Sequence, residues 1–105
     1  MTPLIELAHA LNRSTKVLLV MDVVESVRLM EQDQDDFVRR WQQLVRQAEQ
    51  QILPLHGGRI VKSLGDGLML EFANAQNCAK AAFALQHFSQ QANAGLPPEQ
   101  QLHLR

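Results

Sequence analysis

A β-hairpin is predicted by the sequence Arg59-Ile60-Val61-Lys62-Ser63-Leu64-Gly65-Asp66-Gly67-Leu68-Met69-Leu70. The strands are expected over about 59–63 and 68–72, because both arms are rich in the apolar and β-branched residues that strands favour. Glycines flank Asp66, and they allow backbone conformations that are closed to other residues while leaving the carboxylate uncrowded. The hairpin therefore carries a carboxylate at its tip.

A second aspartate, Asp22, ends the apolar run Val17–Met21, which predicts a buried strand. If this strand neighbours the hairpin in one sheet, Asp22 and Asp66 emerge at the same end. Paired carboxylates with no thiol or imidazole between them suit Mg²⁺ or Mn²⁺. Two such ions, held close together, are the usual apparatus for an in-line displacement at phosphorus. The pair of aspartates therefore points to nucleotide chemistry.

The remaining segments alternate between helices and strands. An acidic start at Asp33–Asp36 favours a long amphipathic helix, which Pro54 and Gly57-Gly58 end. After a polar loop, Leu102-His103-Leu104 alternates like a strand that is just beginning. The predicted helices are 24–32, the long helix that follows the acidic start, and about 75–91. The apolar stripe of the long helix is Val38, Trp41, Val45, Ala48, Ile52 and Leu55. The order β-α-α-β-β-α-β is that of an α+β fold, a ferredoxin-like antiparallel sheet with helices packed on one face.

The bulk properties bound the class of protein. The chain has 105 residues, 46% of them hydrophobic, and we expect a lead segment or linker over 1–15 and one domain over 16–105. A formal net charge of -1 argues against a nucleic-acid binder with a basic face. The single cysteine, Cys78, excludes an intrachain disulfide and fits a cytoplasmic protein. No apolar run approaches the roughly 20 residues of a membrane span, so no membrane insertion is expected.

Four motifs, in this order, resemble the catalytic domain of the class III nucleotidyl cyclases, the adenylate and guanylate cyclase family. They are the strand-end Asp22, Arg28-Leu29-Met30-Glu31, Gly57-Gly58-Arg59-Ile60-Val61-Lys62 and Leu64-Gly65-Asp66-Gly67. The resemblance covers about Val17 to Arg105, and the loop Asn93–Pro98 is similar to that of bacterial members.

The resemblance implies the front half of such a domain, C-terminally incomplete. In the family, the elements that follow carry a second base-reading residue and the asparagine and arginine that act on the transition state. We therefore expect the 105-residue chain alone to be inactive, as an excised fragment or the product of a truncated gene. The parent domain would be an adenylate cyclase, a phosphorus–oxygen lyase that converts ATP to 3′,5′-cyclic AMP and pyrophosphate for intracellular signalling.

The resemblance also implies roles for individual residues. Asp22 and Asp66 match the two aspartates that bind two Mg²⁺ or Mn²⁺ ions per site, and the backbone carbonyl of Val23 would complete one ion's shell. Lys62 matches the lysine that reads adenine, where guanylate cyclases usually have an acid. Sites of this family form between two chains, so a homodimer is implied. The backbone amides that would face the triphosphate are those of Val24, Glu25, Ser26 and Val27.

Two positions depart from the family pattern. The family commonly has glycine at the position of Glu25 and a hydroxyl residue at the position of Val27. A carboxylate beside the triphosphate would repel it unless the Glu25 side chain points away.

Simpler interpretations of the same residues remain open. Asp22 alone would be a helix N-cap after a strand, Asp66 alone a turn residue, and Lys62 a solvated edge lysine. The domain could also be a catalytically dead, cyclase-like module for regulation or dimerisation. A diguanylate cyclase is disfavoured because the turn lacks that family's Gly-Gly-Asp/Glu-Glu-Phe motif, and an RNA-binding domain because the inner strands lack stacking aromatics. No zinc site is expected from the spacing of His9, His56, His87 and His103.

Overall fold

The computed structural model describes residues 16–105, so the predicted lead segment lies outside the described residues. A π-helical turn, Ala48–Ile52, and a 3-10 turn, Leu53–His56, connect the second helix to the second strand, and Pro98–Gln100 forms a further 3-10 turn. The helices and strands are β1 (Val17–Asp22), α1 (Ser26–Gln32), α2 (Gln34–Gln47), β2 (Arg59–Ser63), β3 (Gly67–Phe72) and α3 (Ala75–Ala92). This order confirms the predicted α+β architecture.

The sheet is antiparallel, with β3 between β1 and β2. On one face, Leu68, Leu70 and Phe72 of β3 are at most 1% exposed beneath the helices. On the other face, Leu18 and Val20 of β1 are 55% and 57% exposed, because that face has no helix over it among the described residues. The prediction of helices on one face is confirmed.

The helix α2 begins where the sequence predicted but packs differently near its end. The side chain of Asp33 accepts a hydrogen bond from the backbone N–H of Asp36 at 3.0 Å, which is the expected acidic cap. The predicted apolar stripe is wrong at Val38 and most clearly at Leu55, which are 40% and 79% exposed. The regular helix ends at Gln47, and the π and 3-10 turns that follow change the number of residues per turn. Leu55 therefore falls out of phase with the buried face.

The end of the chain lies against the outer edge of β1. Leu104 forms a single antiparallel bridge with Val23, and the backbone of Arg105 exchanges two hydrogen bonds with that of Asp22, at 2.8 and 3.0 Å. Buried Asn93 fixes the approach, because its side-chain amide bonds both the N–H and the carbonyl of Leu102. The predicted strand start at 102–104 is thus present as one bridge.

None of the helices within residues 16–105 has both the length and the apolar character needed to cross a membrane.

Candidate functional site

The strand register brings the two aspartates to one end of the sheet. Asp22 of β1 lies directly opposite Gly67 of β3, the residue after Asp66. Just beyond β1, the backbone N–H of Val23 donates to the carbonyl oxygen of Asp66 at 3.0 Å. The sheet-end pair, Asp22 and Asp66, therefore has the common position that the sequence led us to expect.

The two glycines around Asp66 act for different reasons. Gly65 has a φ of 82° with open space around it, so its role is conformational, as predicted. At Gly67 an added Cβ would lie 2.6 Å from the carbonyl oxygen of Met21 and 3.2 Å from Cβ of Asp22. Gly67 therefore allows the close approach of β1 and β3 that brings the sheet-end pair together.

The carboxylate of Asp66 is held by a side chain from α1. The hydroxyl of Ser26, which is 7% exposed, donates to Oδ2 of Asp66 at 2.5 Å. Sequence reasoning missed this contact, since it had assigned Ser26 only a backbone amide. The two residues are 40 positions apart, and no local pattern marks such a pair.

The carbonyl of Val23 lacks the hydrogen bond that an antiparallel strand partner within residues 16–105 would donate to it. Its natural antiparallel donor would be the N–H of Asp66, but that N–H donates within the turn to the carbonyl of Leu64 at 3.1 Å. Val23 is 2% exposed as a residue, and its carbonyl oxygen lies next to the sheet-end pair, where it could bind a cation.

Arg105 is a second residue that sequence reasoning missed. Its guanidinium lies against the carboxylate of Asp22, with Nε–Oδ1 and Nη2–Oδ2 distances of 3.3 and 3.5 Å. Both side chains are substantially exposed, so the pair contributes little to stability. Pairing the predicted last strand with β1 would have revealed this neighbour.

The loop between β1 and α1 carries a strained residue. Glu25 has φ 55° and ψ 43°, the left-handed region that favours glycine. Its carboxylate pairs with Nε of Arg28 at 2.8 Å, and Arg28 also donates to the carbonyl of Glu99 at 3.0 Å. The backbone N–H of Val24 donates to the carbonyl of His103 at 2.8 Å. Of the four predicted phosphate-facing amides, Val24 is thus already bonded.

The strain predicts that Glu25→Gly is more stable than Glu25→Ala. Both variants lose the exposed ion pair with Arg28, so their difference isolates the backbone. The left-handed conformation costs about 1–2 kcal/mol for a residue with a Cβ, and we expect a difference of about 1 kcal/mol in the free energy of unfolding. Urea denaturation followed by circular dichroism measures it. Equal midpoints for the two variants would contradict the strained backbone.

A β-bulge decides which face of the sheet Lys62 joins. Ile60 pairs with Leu70 and Lys62 with Met69, so Val61 is an extra residue in β2. Regular pairing would have set Lys62 opposite Leu68, on the face that packs against the helices. With the bulge, Lys62 shares the open face with Val20 and Asp22. It lies across two strand spacings from β1, about 10 Å, so it does not touch Asp22.

A groove of about 640 Å³ lies beside Asp66, between the two N-terminal helices and the hairpin. The chain's single tryptophan, Trp41, lines it together with Ser26 and Ser63. The indole is therefore placed to report on events at Asp66.

The donor set of the sheet end fits a hard divalent cation. It consists of two carboxylates and the Val23 carbonyl, all oxygen ligands. Within residues 16–105, no group of three or more His, Cys, Asp or Glu side chains is placed to hold an ion. Mg²⁺ is commonly bound through one or two carboxylates, with substrate phosphates and water supplying the rest, so the number of carboxylates is compatible with such an ion.

Comparison with other proteins gives three informative similarities. A protein of Rhizobium meliloti (strain 1021), provisionally named adenylate cyclase 3, is 32% identical over 101 residues, which cover 92% of this chain and 16% of that protein. The crystal structure of an adenylate/guanylate cyclase/hydrolase from Silicibacter pomeroyi matches with a TM-score of 0.69 and 28% identity over 87% of this chain and 55% of that chain. A bacterial light-regulated adenylyl cyclase matches with a TM-score of 0.74 and 17% identity, over 85% of this chain and 28% of its own.

The last of these similarities concerns the fold alone. No protein-family profile matches the chain. The chain spans about one-sixth of the Rhizobium protein and about half of the Silicibacter chain.

Proposed function

We propose, on the premise that this chain resembles class III nucleotidyl cyclase domains in sequence and in fold, that it contributes the metal and phosphate side of an adenylate cyclase site. The reaction would form a bond between the ribose 3′-oxygen of ATP and the α-phosphorus and break the bond to pyrophosphate. The observation that carries the proposal is the sheet-end pair, Asp22 and Asp66, which the strand register brings to one end of the sheet next to Val23.

Separate groups of residues would bind the metal ions and the triphosphate. Asp22, Asp66 and the Val23 carbonyl would hold Mg²⁺ or Mn²⁺. When bound, two such ions would ease deprotonation of the 3′-hydroxyl and neutralise charge on the leaving pyrophosphate. The amides of Glu25, Ser26 and Val27 are proposed to face the triphosphate, since the first N–H groups of a helix lack intrahelical partners.

Two arginines would affect the charge around the bound triphosphate. The ion pair with Arg28 holds the Glu25 carboxylate, which supports phosphate binding despite the acid in this loop. Arg105 lies against Asp22, and a cation at Asp22 would compete with its guanidinium. Once released, the guanidinium is well suited to a phosphate oxygen.

Lys62 is proposed to read the adenine, and its strand lies two strand spacings, about 10 Å, from β1. Sites of the resembled family form between two chains. In such a dimer, the Lys62 of one chain would lie near the aspartates of the other. The exposed Leu18 and Val20 on the same face support a homodimer through apolar burial.

The full 105-residue chain offers a direct test of metal-dependent nucleotide binding. An ATP analogue with an N-methylanthraniloyl group on its ribose accepts excitation energy from Trp41. We expect energy transfer that requires Mn²⁺, disappears with EDTA and is competed by ATP more strongly than by GTP. Nucleotide binding of equal strength without the metal would contradict the proposal.

Two further arms of this experiment address base choice and turnover. Lys62→Glu should shift competition toward GTP, because a carboxylate accepts hydrogen bonds from the N–H donors of guanine. An unchanged nucleotide preference would remove Lys62 from the site.

Turnover is proposed only for a site completed by groups outside this chain, so we expect little cyclic AMP in the same samples. Robust cyclic AMP would contradict that view. Self-association with no binding of Mn²⁺ or nucleotide would favour the catalytically dead module instead.

A further inference from the structure

We propose that Ser26 is a positioning residue that sets the direction of the Asp66 carboxylate for cation binding. The proposal deepens the proposed function, since it rests on Asp66 being a metal ligand. It concerns the Ser26 side chain, whose hydroxyl contacts the carboxylate directly.

The contact is not a helix cap. A serine at the N-cap position ordinarily bonds a backbone N–H of its own helix. Here the N-cap residue of α1 is Glu25, which makes no side-chain cap bond, and Ser26 is the first helical residue. Its hydroxyl instead crosses to the hairpin tip, 40 positions away, and donates to Oδ2 of Asp66.

The surroundings make this bond directional. Ser26 is 7% exposed, so little water is available to replace the carboxylate as its acceptor. Bonds from a hydroxyl to an ionised carboxylate are short and about twice as strong as neutral ones. With Oδ2 engaged, Oδ1 accepts no hydrogen bond from any residue between 16 and 105. Ser26 thus fixes one oxygen and leaves the other for a ligand.

The energetic consequence follows from pre-organisation. A carboxylate free to rotate must lose that freedom when it binds an ion, whereas one already held by a hydrogen bond has less to lose. Partners that orient a metal ligand typically contribute about 10–100-fold to metal affinity. Removal of the Ser26 hydroxyl should cost an amount in this range without removing any ligand.

The test compares Ser26→Ala with Ser26→Thr in the full 105-residue chain. Mn²⁺ affinity is measured from the electron paramagnetic resonance signal of the free ion, which needs neither nucleotide nor turnover. We expect affinity to fall about 10–100-fold in Ser26→Ala, and Ser26→Thr, which keeps the hydroxyl, to recover most of it. Ser63→Ala is the matched control, because Ser63 lines the same groove from exposed β2 and should leave affinity unchanged.

The possible outcomes separate the two proposals. If the natural chain binds Mn²⁺ and Ser26→Ala binds it equally well, the positioning role is overturned while the metal site stands. If the natural chain binds no Mn²⁺, both fall. Equal losses in Ser26→Ala and Ser63→Ala would also overturn the role, because they would indicate general damage. Should Ser26→Ala fail to fold, Ser26→Cys preserves the volume with a weak donor, and natural affinity in that variant would overturn the proposal.

Discussion

Asp66→Asn is expected to lower the Mn²⁺ affinity of the chain by about 10³-fold. Asparagine keeps the shape and the hydrogen bond from Ser26 but removes the charge. A unit charge and a divalent ion 4 Å apart at an effective dielectric constant of 20 attract by about 8 kcal/mol. Desolvation of the carboxylate and the oxygen ligand that asparagine retains offset about half of this, and each 1.4 kcal/mol that remains is tenfold in affinity. Isothermal titration calorimetry with MnCl₂ gives the affinities. Asp22→Asn should have a comparable effect, which would establish that the two carboxylates act together.

The control for this experiment is Asp35→Asn. Asp35 lies in the first turn of α2, so the substitution makes the same change in net charge away from the hairpin. We expect its affinity to match that of the natural chain. If Asp66→Asn and Asp35→Asn retain the same affinity, bound Mn²⁺ responds only to overall charge, and the sheet end is not the metal site.

Gly67→Ala is expected to damage both the fold and the site. The new Cβ would lie 2.6 Å from the backbone oxygen of Met21, so β1 and β3 must separate. Forcing an extra methyl group into a packed position typically costs about 1–3 kcal/mol. The same movement displaces Asp22 from Asp66, and Mn²⁺ affinity should fall with stability. Urea denaturation and metal titration of one preparation measure the two effects.

The matched substitution is Gly65→Ala, on the other side of Asp66. Gly65 has a positive φ but open space, so alanine there strains the turn by about 1–2 kcal/mol without pushing on β1. We expect Gly65→Ala to lose stability yet keep its Mn²⁺ affinity once folded. A Gly67→Ala protein with natural affinity would show that the close approach of the strands is not needed for the site.

Local sequence patterns predicted the elements of this fold well. The bounds of β2 were predicted to the residue, and the capping role of Asp33 followed from an acidic residue before an amphipathic run. The stripe of α2 failed at Leu55 because periodicity assumes 3.6 residues per turn, which the π turn does not keep. Predictions held where the determining interactions were only a few residues apart in sequence.

The finer arrangement of the site depended on contacts between distant residues. Both aspartates were singled out from their positions at predicted strand ends, and the register brings them to one end. The contact of Ser26 with Asp66 and that of Arg105 with Asp22 join segments 40 and 83 residues apart. These two contacts depend on the strand register and on the packing of α1, and no short sequence motif predicts either.

The extra residue at Val61 makes β2 more tolerant of losing a residue than of gaining one. Without Val61, Ile60 would still pair with Leu70 and Lys62 with Met69, now in regular alternation between the two faces of the sheet. A gain of one residue in β2 would instead require a second bulge to keep Lys62 on the open face. Homologous strands should therefore show single-residue losses near position 61 more often than gains, and gains should accumulate in the surface loop around Gly95, where no strand register depends on the count.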